Sequence, residues 1–311
     1  MLKKQIISIA ITLVALLDAA GQQDVSFSQY VFDKMLVNPA YAGSSKWLVG
    51  SIKNRTMVSD IEGTPLTNIF SFQAPLQSKG LGLGLKVIQD KIAVTNTLSA
   101  SGIISYHIGL GKGKLSFGLE GGVTNNSYNY DDLVRIIGDD PAIPSGKQSV
   151  LMPDISAGVF YQSPIFYVGG AAYHLSNQKK SVPSYDQNEM YVMEQSYYGM
   201  GGLFIDLSKN IVFEPSVLVK YVAGSPLQID VNAMVVFVDK FALGASYRTG
   251  DAIVGMVKID ILKNLKAVYS YDYLISELSS FSKGNHEISI SYGIELLPPP
   301  AKKVIHPRYY F

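Results

Sequence analysis

The chain has 311 residues and a formal net charge of +1. Charged residues make up only 16% and hydrophobic residues 47%, with 20 Tyr and 28 Gly, whereas a soluble protein carries about 25% charged residues. This composition fits a barrel with a lipid-facing exterior, and it also fits a secreted β-sandwich. The absence of cysteine excludes disulfides, thiolate metal sites, a cysteine nucleophile and a lipoprotein anchor. The balanced charge predicts no basic field for nucleic acid or anionic lipid.

The first 21 residues have the organisation of a secretory signal peptide. Two lysines precede an apolar run over 6–17, and small residues at 19–21 provide a cleavage site. We therefore expect residues 1–21 to be removed between Gly21 and Gln22. The alternative, an uncleaved anchoring helix, is disfavoured because the run is shorter than the ~20 residues of a membrane span.

From residue 46 onward, alternation of apolar and polar residues predicts a long series of β-strands. In the last segment Ile288 and Ile290 share one face and Glu287 and Ser289 the other, since successive side chains of a strand point to opposite faces. About fourteen such segments are predicted, near 46–58, 67–76, 80–90, 95–110, 113–129, 152–162, 165–176, 193–207, 210–223, 227–238, 241–249, 252–262, 265–276 and 285–296.

The connections between these segments predict an all-β, transmembrane outer-membrane barrel. Tight turns alternate with longer links, notably 130–151 and 177–192, which is typical of such barrels. A soluble sandwich is the alternative, but predicted strands of 10–15 residues exceed the usual 5–6. An even number of antiparallel strands would leave both termini in the periplasm. The predicted parts are the signal peptide, a periplasmic N-terminal segment 22–45, the barrel 46–296 and a periplasmic tail 297–311.

The polar faces of the predicted strands place charges of both signs in the lumen. Mixed signs predict a cross-braced, largely blocked interior rather than a pore that selects one ion sign. The candidate lumen-facing residues are Lys86, Glu120, Glu214, Lys220, Asp230, Arg248, Lys258, Asp260, Asp272 and Glu287.

Motifs that would indicate catalysis are weak in this sequence. His286-Glu287 begins an H-E-x-x-H pattern, but Ile290 stands at the closing position and the segment alternates as a strand. The glycine-rich stretch 80–85 has no helix after it, so a barrel strand is favoured over a phosphate loop. Paired aspartates at 131–132 and 139–140 could attract a cation, but solvated turn residues of a long exterior loop are the favoured interpretation. We therefore predict no enzyme activity, no catalytic or metal-binding residue and no cofactor.

The mature N-terminus carries a compound motif, FSQYVFDKMLVNPAYAGSS, at residues 27–45. It resembles the opening signature of the PorP/SprF family of Bacteroidetes outer-membrane proteins. The matching residues are Phe27, Ser28, Gln29, Tyr30, Asn38, Pro39, Ala40, Tyr41, Ala42, Gly43 and Ser44. Further similarities, including Met152-Pro153-Asp154 and Ser246-Tyr247-Arg248, extend the resemblance over nearly the whole mature chain.

This resemblance implies a FadL-type barrel of fourteen strands that is not an enzyme and serves the type IX secretion system and gliding motility. It further implies that the protein delivers or retains a cell-surface adhesin, or contacts the translocon and periplasmic lipoproteins. An outer-membrane transporter or porin for small solutes is the alternative, since FadL-type architecture is sufficient for that role.

The sequence is compatible with two locations for the N-terminal segment. Residues 22–45 either plug the barrel mouth or dock a periplasmic partner, and the aromatic residues Phe27, Tyr30, Phe32 and Tyr41 look exposed in the sequence. The longer loops at 130–151 and 177–192 are predicted to hold a surface cargo.

Overall fold

The structure is a computed structural model. It describes the residues 25–58, 63–76, 80–132, 146–181, 190–238 and 240–296. The predicted signal peptide with its Gly21–Gln22 cleavage site and the predicted tail lie outside these residues.

The described chain forms seventeen β-strand segments. Their bounds are β1 Trp47–Val58, β2 Leu66–Leu76, β3 Leu81–Ile92, β4 Thr95–Leu110, β5 Gly113–Asn129, β6 Lys147–Gln162, β7 Phe166–Tyr173, β8 Lys179–Ser181, β9 Met190–Val192, β10 Ser196–Leu203, β11 Ile205–Ser208, β12 Ile211–Val222, β13 Gln228–Phe237, β14 Phe241–Arg248, β15 Ala252–Leu262, β16 Leu265–Leu274 and β17 Gly284–Glu295.

All of these segments except β8 and β9, which form a separate hairpin, close into one antiparallel barrel of fourteen strands. β10 and β11 are two halves of one wall strand, because both pair with β12 and only Phe204 separates them. The ring closes where β1 pairs with β17, with Trp47 opposite Glu295. The prediction of an outer-membrane-type barrel of about fourteen strands is confirmed. Closure pairs the main-chain donors and acceptors of neighbouring wall strands, as lipid requires, except along the first ten residues of β6, which have no partner strand on the β7 side.

The two ends of the barrel differ in their connections. At one end, here called the tight-turn end, the strands are joined by short turns such as Gly111–Lys112 and Lys263–Asn264, and β1 begins and β17 ends there. The opposite end, here called the loop end, carries the longer connections 130–146 and 174–195. The first of these is shorter than predicted because β6 begins at Lys147, and the second contains the β8–β9 hairpin.

Alternation along each strand separates an apolar exterior from a polar interior. On β17, Ile288 and Ile290 are about half exposed on the outer surface, while Glu287 and Ser289 are buried inside. An outward apolar face suits a lipid environment, and the inward polar face has to find partners within the lumen. Within the described ranges, no helix is long and apolar enough to cross a membrane.

The interior is filled by residues 25–45, here called the luminal segment. It contains three short 3-10 turns, at Ser28–Val31, Lys34–Leu36 and Pro39–Tyr41. The main hydrophobic cluster lies between this segment and the wall. Its members include Tyr30, Met35, Ala40, Ile69, Ile103, Phe160, Met234 and Met256. The core of this barrel is therefore built between the N-terminal segment and the inner wall.

Candidate functional site

The luminal segment crosses the barrel from the loop end towards the tight-turn end. Ser28 bonds to Asp272 and Glu287, which lie near the loop ends of β16 and β17. Gly43 donates its main-chain N–H to Gln73 at 3.2 Å, near the tight-turn end of β2. The segment therefore occupies the height of the lumen and continues directly into β1.

The Asn-Pro turn of the segment is fixed to the wall by its own side chain. Asn38 accepts a hydrogen bond from the N–H of Ala40 at 3.0 Å, which caps the 3-10 turn that begins at Pro39. The Asn38 amide also donates to the main-chain carbonyls of Val159 at 3.0 Å and Gly170 at 3.2 Å. One side chain therefore shapes the turn and joins it to β6 and β7.

Glycines in the wall allow the close approach of this turn. A Cβ atom at Gly158 would collide with Asn38, at Gly118 with the N–H of Ala40, and at Gly82 with the carbonyl of Ala42. Gly43 has φ of +63°, a backbone region that favours glycine. The N-P-A-Y-A-G turn, residues 38–43, therefore packs into a groove of the wall that is lined by glycines.

The first turn of the segment is held by a carboxylate and a hydroxyl. Glu287 accepts the main-chain N–H groups of Ser28 at 3.0 Å and Gln29 at 3.3 Å. The Ser28 hydroxyl donates to Asp272 at 2.7 Å and accepts from Arg248 at 3.1 Å. Free N–H groups at the start of a turn are thereby satisfied by wall side chains.

Two arginines neutralise the buried carboxylates around this turn. Arg55 contacts Asp272 at 2.7 Å and Glu287 at 3.1 Å. Arg248, which is 1% exposed, contacts Asp230 at 3.2 Å and Asp272 at 3.4 Å. Buried charges are tolerated when they are paired and hydrogen-bonded in this way. This arginine–carboxylate cluster connects β1, β13, β14, β16 and β17 across the lumen.

A buried lysine lies in the middle of the luminal segment. The Lys34 ammonium donates to the carbonyl of Val31 at 2.9 Å and lies 4.8 Å from the centre of the Tyr167 ring. The carboxylates of Glu214 and Asp33 lie near enough to stabilise its positive charge.

All ten charged residues predicted to face the lumen lie on the inner side of the wall. Lys86 pairs with Glu120 at 2.9 Å and Lys258 with Asp260 at 3.3 Å, while Lys220 lies over the Tyr198 ring at 5.8 Å. The other five members of the set are buried on the same inner face. They are Glu214, Asp230, Arg248, Asp272 and Glu287.

A cavity of about 140 Å³ lies beside the segment, towards the loop end. Phe27 and Val37 of the luminal segment form one wall, and Lys86, Tyr173 and Tyr198 lie among the residues opposite. The volume is close to that of an engineered cavity that binds benzene, roughly 150 Å³.

The sequence profile described as "Type IX secretion system membrane protein PorP/SprF" matches residues 19–292. The chain belongs to the PorP/SprF family. This match confirms the family resemblance of the N-terminal motif. Together, the family and the closed antiparallel barrel show that this protein lies in the outer membrane.

Several solved structures are similar to this chain at low sequence identity. The toluene transporter TbuX of Ralstonia pickettii is 11% identical, with a TM-score of 0.49 over 84% of this chain and 92% of that one. The toluene transporter TodX of Pseudomonas putida is 10% identical, with a TM-score of 0.47 over 88% and 95%. The translocator domain of NalP from Neisseria meningitidis is 12% identical, with a TM-score of 0.44 over 79% and 87%. Among curated proteins a sequence comparison finds no match.

The structure brings the family motif and the lumen-facing charges into one site. Ser28 and Gln29 of the motif contact the charges near the loop end, whereas Asn38 and Ala40 contact wall glycines nearer the tight-turn end. Among the aromatic residues that looked exposed in the sequence, Tyr30 and Tyr41 are 2% and 6% exposed. The lumen supplies the apolar surroundings that were not apparent from the sequence.

Sequence reasoning missed four charged residues of this site, which are Lys34, Asp33, Lys53 and Arg55. Arg55 joins the arginine–carboxylate cluster, and Lys53 contacts Asp33 at 3.4 Å. The alternation of Ser51, Lys53 and Arg55 along β1 could have placed the two basic residues on the inner face. Asp33 lies outside the strands, so no periodic pattern identified it.

Histidines take no part in a metal centre within the described residues, where no group of three or more His, Asp or Glu residues is arranged to hold an ion. His286 lies on the outer face of β17, where its ring is 2.7 Å from the Tyr269 hydroxyl. His174 at the end of β7 contacts Asp154 at 2.8 Å.

Proposed function

We propose that this barrel is a plugged, non-enzymatic component of type IX secretion that holds partner proteins and does not conduct solutes. The observation that supports the proposal is the luminal segment, which fills the barrel and is bonded to the wall at both ends. A solute pore would need a continuous water-filled path through the lumen. The luminal segment occupies that space, and it is held there by buried ion pairs and by its fit in the glycine-lined groove.

The loop end is the proposed site for a surface adhesin. β4, β5 and β6 have 16, 17 and 16 residues, more than the 9–11 that cross a bilayer. They support the connection 130–146, and the β8–β9 hairpin lies beside them. The tight-turn end, with both barrel termini, is then proposed to face the periplasm and the lipoproteins of the secretion machinery.

A deletion strain tests the secretion role. We expect loss of one or more large adhesins from the surface, measured by surface labelling and mass spectrometry of intact cells. Complementation with a variant in which residues 179–192 are replaced by a Gly-Ser linker should restore the barrel but not the adhesin. Unchanged surface proteins together with altered solute uptake would contradict the proposal.

Deletion of residues 22–45 distinguishes a plug from a docking arm. A plug predicts a large rise in single-channel conductance in planar bilayers, because the filler of the lumen is gone. A docking arm predicts unchanged conductance and loss of periplasmic proteins that co-purify with the native barrel.

Transport of a small solute is the second candidate, and the cavity of about 140 Å³ favours it. Apolar side chains such as Phe27 and Val37 face the Lys86–Glu120 ion pair there, which suits a small amphipathic molecule. Slower uptake of such solutes in the deletion strain, with normal surface adhesins, would favour this role.

A further inference from the structure

The cavity beside the luminal segment is lined by apolar and by charged side chains. Phe27, Val37 and Ile88 contribute apolar surface. Three carboxylates and two basic side chains also line it, and these are Asp90, Glu120, Asp154, Lys86 and His174. A ligand of this cavity therefore has to match an apolar surface and a group of charges in which acidic residues outnumber basic ones.

Two of the three carboxylates have a basic partner within the lining. Glu120 lies 2.9 Å from the Lys86 ammonium, and it also accepts a hydrogen bond from the Ser101 hydroxyl at 2.6 Å. Asp154 lies 2.8 Å from the His174 ring. These two pairs bind each other, so neither carboxylate depends on a ligand for a partner.

Asp90 is the carboxylate without a cation. It accepts a hydrogen bond from the neutral Thr67 hydroxyl at 2.6 Å, and it has no ion pair within the described residues. Arg55 lies two strands away in the same row, but its guanidinium is bound to Asp272 and Glu287 on the other side. Asp90 therefore leaves one negative charge on the cavity.

The charge of Asp90 discriminates between classes of ligand. An anionic solute would place a second negative charge beside Asp90, and a neutral solute would leave its carboxylate without a counter-ion. An ammonium group would form a charge-assisted hydrogen bond with it. The rings of Tyr173 and Tyr198, which meet edge to face at 5.4 Å, add surfaces that suit an aromatic body.

We propose that this cavity binds small organic cations that carry an ammonium group on an aromatic body. The inference names the ligand class for the cavity on which the second candidate function rests. It concerns binding alone, so it is compatible with a barrel that transports solutes and with one that holds partner proteins.

Three ligands that share a phenyl ring and differ in the charge of the head group test this inference. Phenethylammonium, phenethyl alcohol and hydrocinnamate are titrated into the purified full chain in detergent, and isothermal calorimetry measures the affinity after the heat of titration into detergent alone is subtracted. We expect phenethylammonium to bind about tenfold more tightly than the alcohol, because it gains a charge-assisted hydrogen bond. Hydrocinnamate should bind most weakly of the three.

Matched variants show whether Asp90 and the cavity are responsible. Asp90→Asn removes the charge but retains an acceptor for Thr67, so the advantage of phenethylammonium over the alcohol should disappear. Glu277→Gln removes the same charge at an exposed site of the loop end and should retain the advantage. Phe27→Leu should weaken the binding of both ligands, because it removes an aromatic ring from the lining.

Equal affinity for the three ligands, or no saturable binding of any of them, would overturn the proposal. An advantage of phenethylammonium that persists in Asp90→Asn would overturn it as well. None of these results bears on the secretion role, whose readouts are surface adhesins and conductance. Binding of phenethylammonium together with unchanged solute uptake in the deletion strain would retain the binding site and remove only the transport function.

Discussion

Glycines on the inner wall determine how closely the luminal segment approaches the strands. Gly118 on β5 and Gly158 on β6 face Ala40 and Asn38, and no side chain of any size fits between them. Packed interiors do not readily accommodate added atoms, so even a methyl group at one of these glycines would displace the luminal segment. The N-P-A-Y-A-G turn and these glycines therefore form one complementary surface.

Gly118→Ala and Gly158→Ala are expected to displace the turn and raise single-channel conductance. The added Cβ atom overlaps the segment, and overpacking of this kind costs roughly 1–3 kcal/mol. Gly102→Ala and Gly255→Ala are the matched controls, because an added Cβ at either position meets nothing within 4 Å. Equal conductance in all four variants would argue against tight seating of the turn.

Arg248 binds several partners in the lumen at once. Its guanidinium bonds to Asp230, Asp272 and the Ser28 hydroxyl, and Asp230 has no other ion pair within the described residues. Removing one partner of a buried pair leaves an uncompensated charge, at a cost of about 3–5 kcal/mol.

Arg248→Met should therefore lower the temperature at which the folded, heat-modifiable band disappears in detergent gels. Asp230→Asn combined with Arg248→Met should recover part of the loss, because the uncompensated carboxylate is gone. A native transition temperature in Arg248→Met alone would show that the cluster contributes little to stability.

Strand β6 shows how an unpaired edge is protected inside a closed barrel. It pairs with β7 only over residues 157–162, so its first ten residues lack a strand partner on that side. The carbonyl of Ile155 accepts from the N–H of Leu175, and that of Pro153 accepts from the Ser176 hydroxyl. Proline also removes a donor from this edge, a common protection against edge pairing.

Pro153→Val combined with Lys180→Ala is expected to expose this edge and to produce dimers. The first change adds an unpaired N–H, and the second removes the ammonium that donates to the carbonyl of Leu151 at 2.6 Å. Light scattering of the detergent-solubilised protein measures the association, with Lys179→Ala as the control. A monomeric double variant would mean that the segment 174–180 protects the edge without these two residues.

At the scale of the whole molecule, the two ends of the barrel differ in the length of their connections. Both barrel termini lie at the tight-turn end, whereas the loop end carries the long connections and the β8–β9 hairpin. The proposed orientation, with the tight-turn end in the periplasm, can be tested on a chain that has no native cysteine.

Single-cysteine variants report this orientation in intact cells. Lys283→Cys at the loop end should react with a membrane-impermeant maleimide, because that end is proposed to face the exterior. Lys112→Cys at the tight-turn end should react only after the outer membrane is permeabilised. The reverse pattern would invert the orientation and the assignment of the loop end to the adhesin.

The N-terminal motif illustrates where prediction from the sequence ended. The motif identified the family, but the sequence left the segment as either a plug or a docking arm. Its position depends on bonds such as that from Ser28 to Glu287, which are 259 residues apart. No local pattern encodes a contact of that separation. Asp33 was missed because it lies outside the strands, whereas the alternation along β1 could have placed Arg55 on the inner face.

The sequence by itself determined the family and the strands with their inner and outer faces, and it predicts an export signal at residues 1–21. Strand alternation is a property of neighbouring residues, so it can be read without a fold. The tertiary structure alone decided that residues 25–45 lie in the lumen, that glycines on β3, β5 and β6 receive them, and that Arg55, Arg248 and their carboxylate partners from five strands meet there. Each of these depends on closure of the wall, which brings distant residues to a common surface.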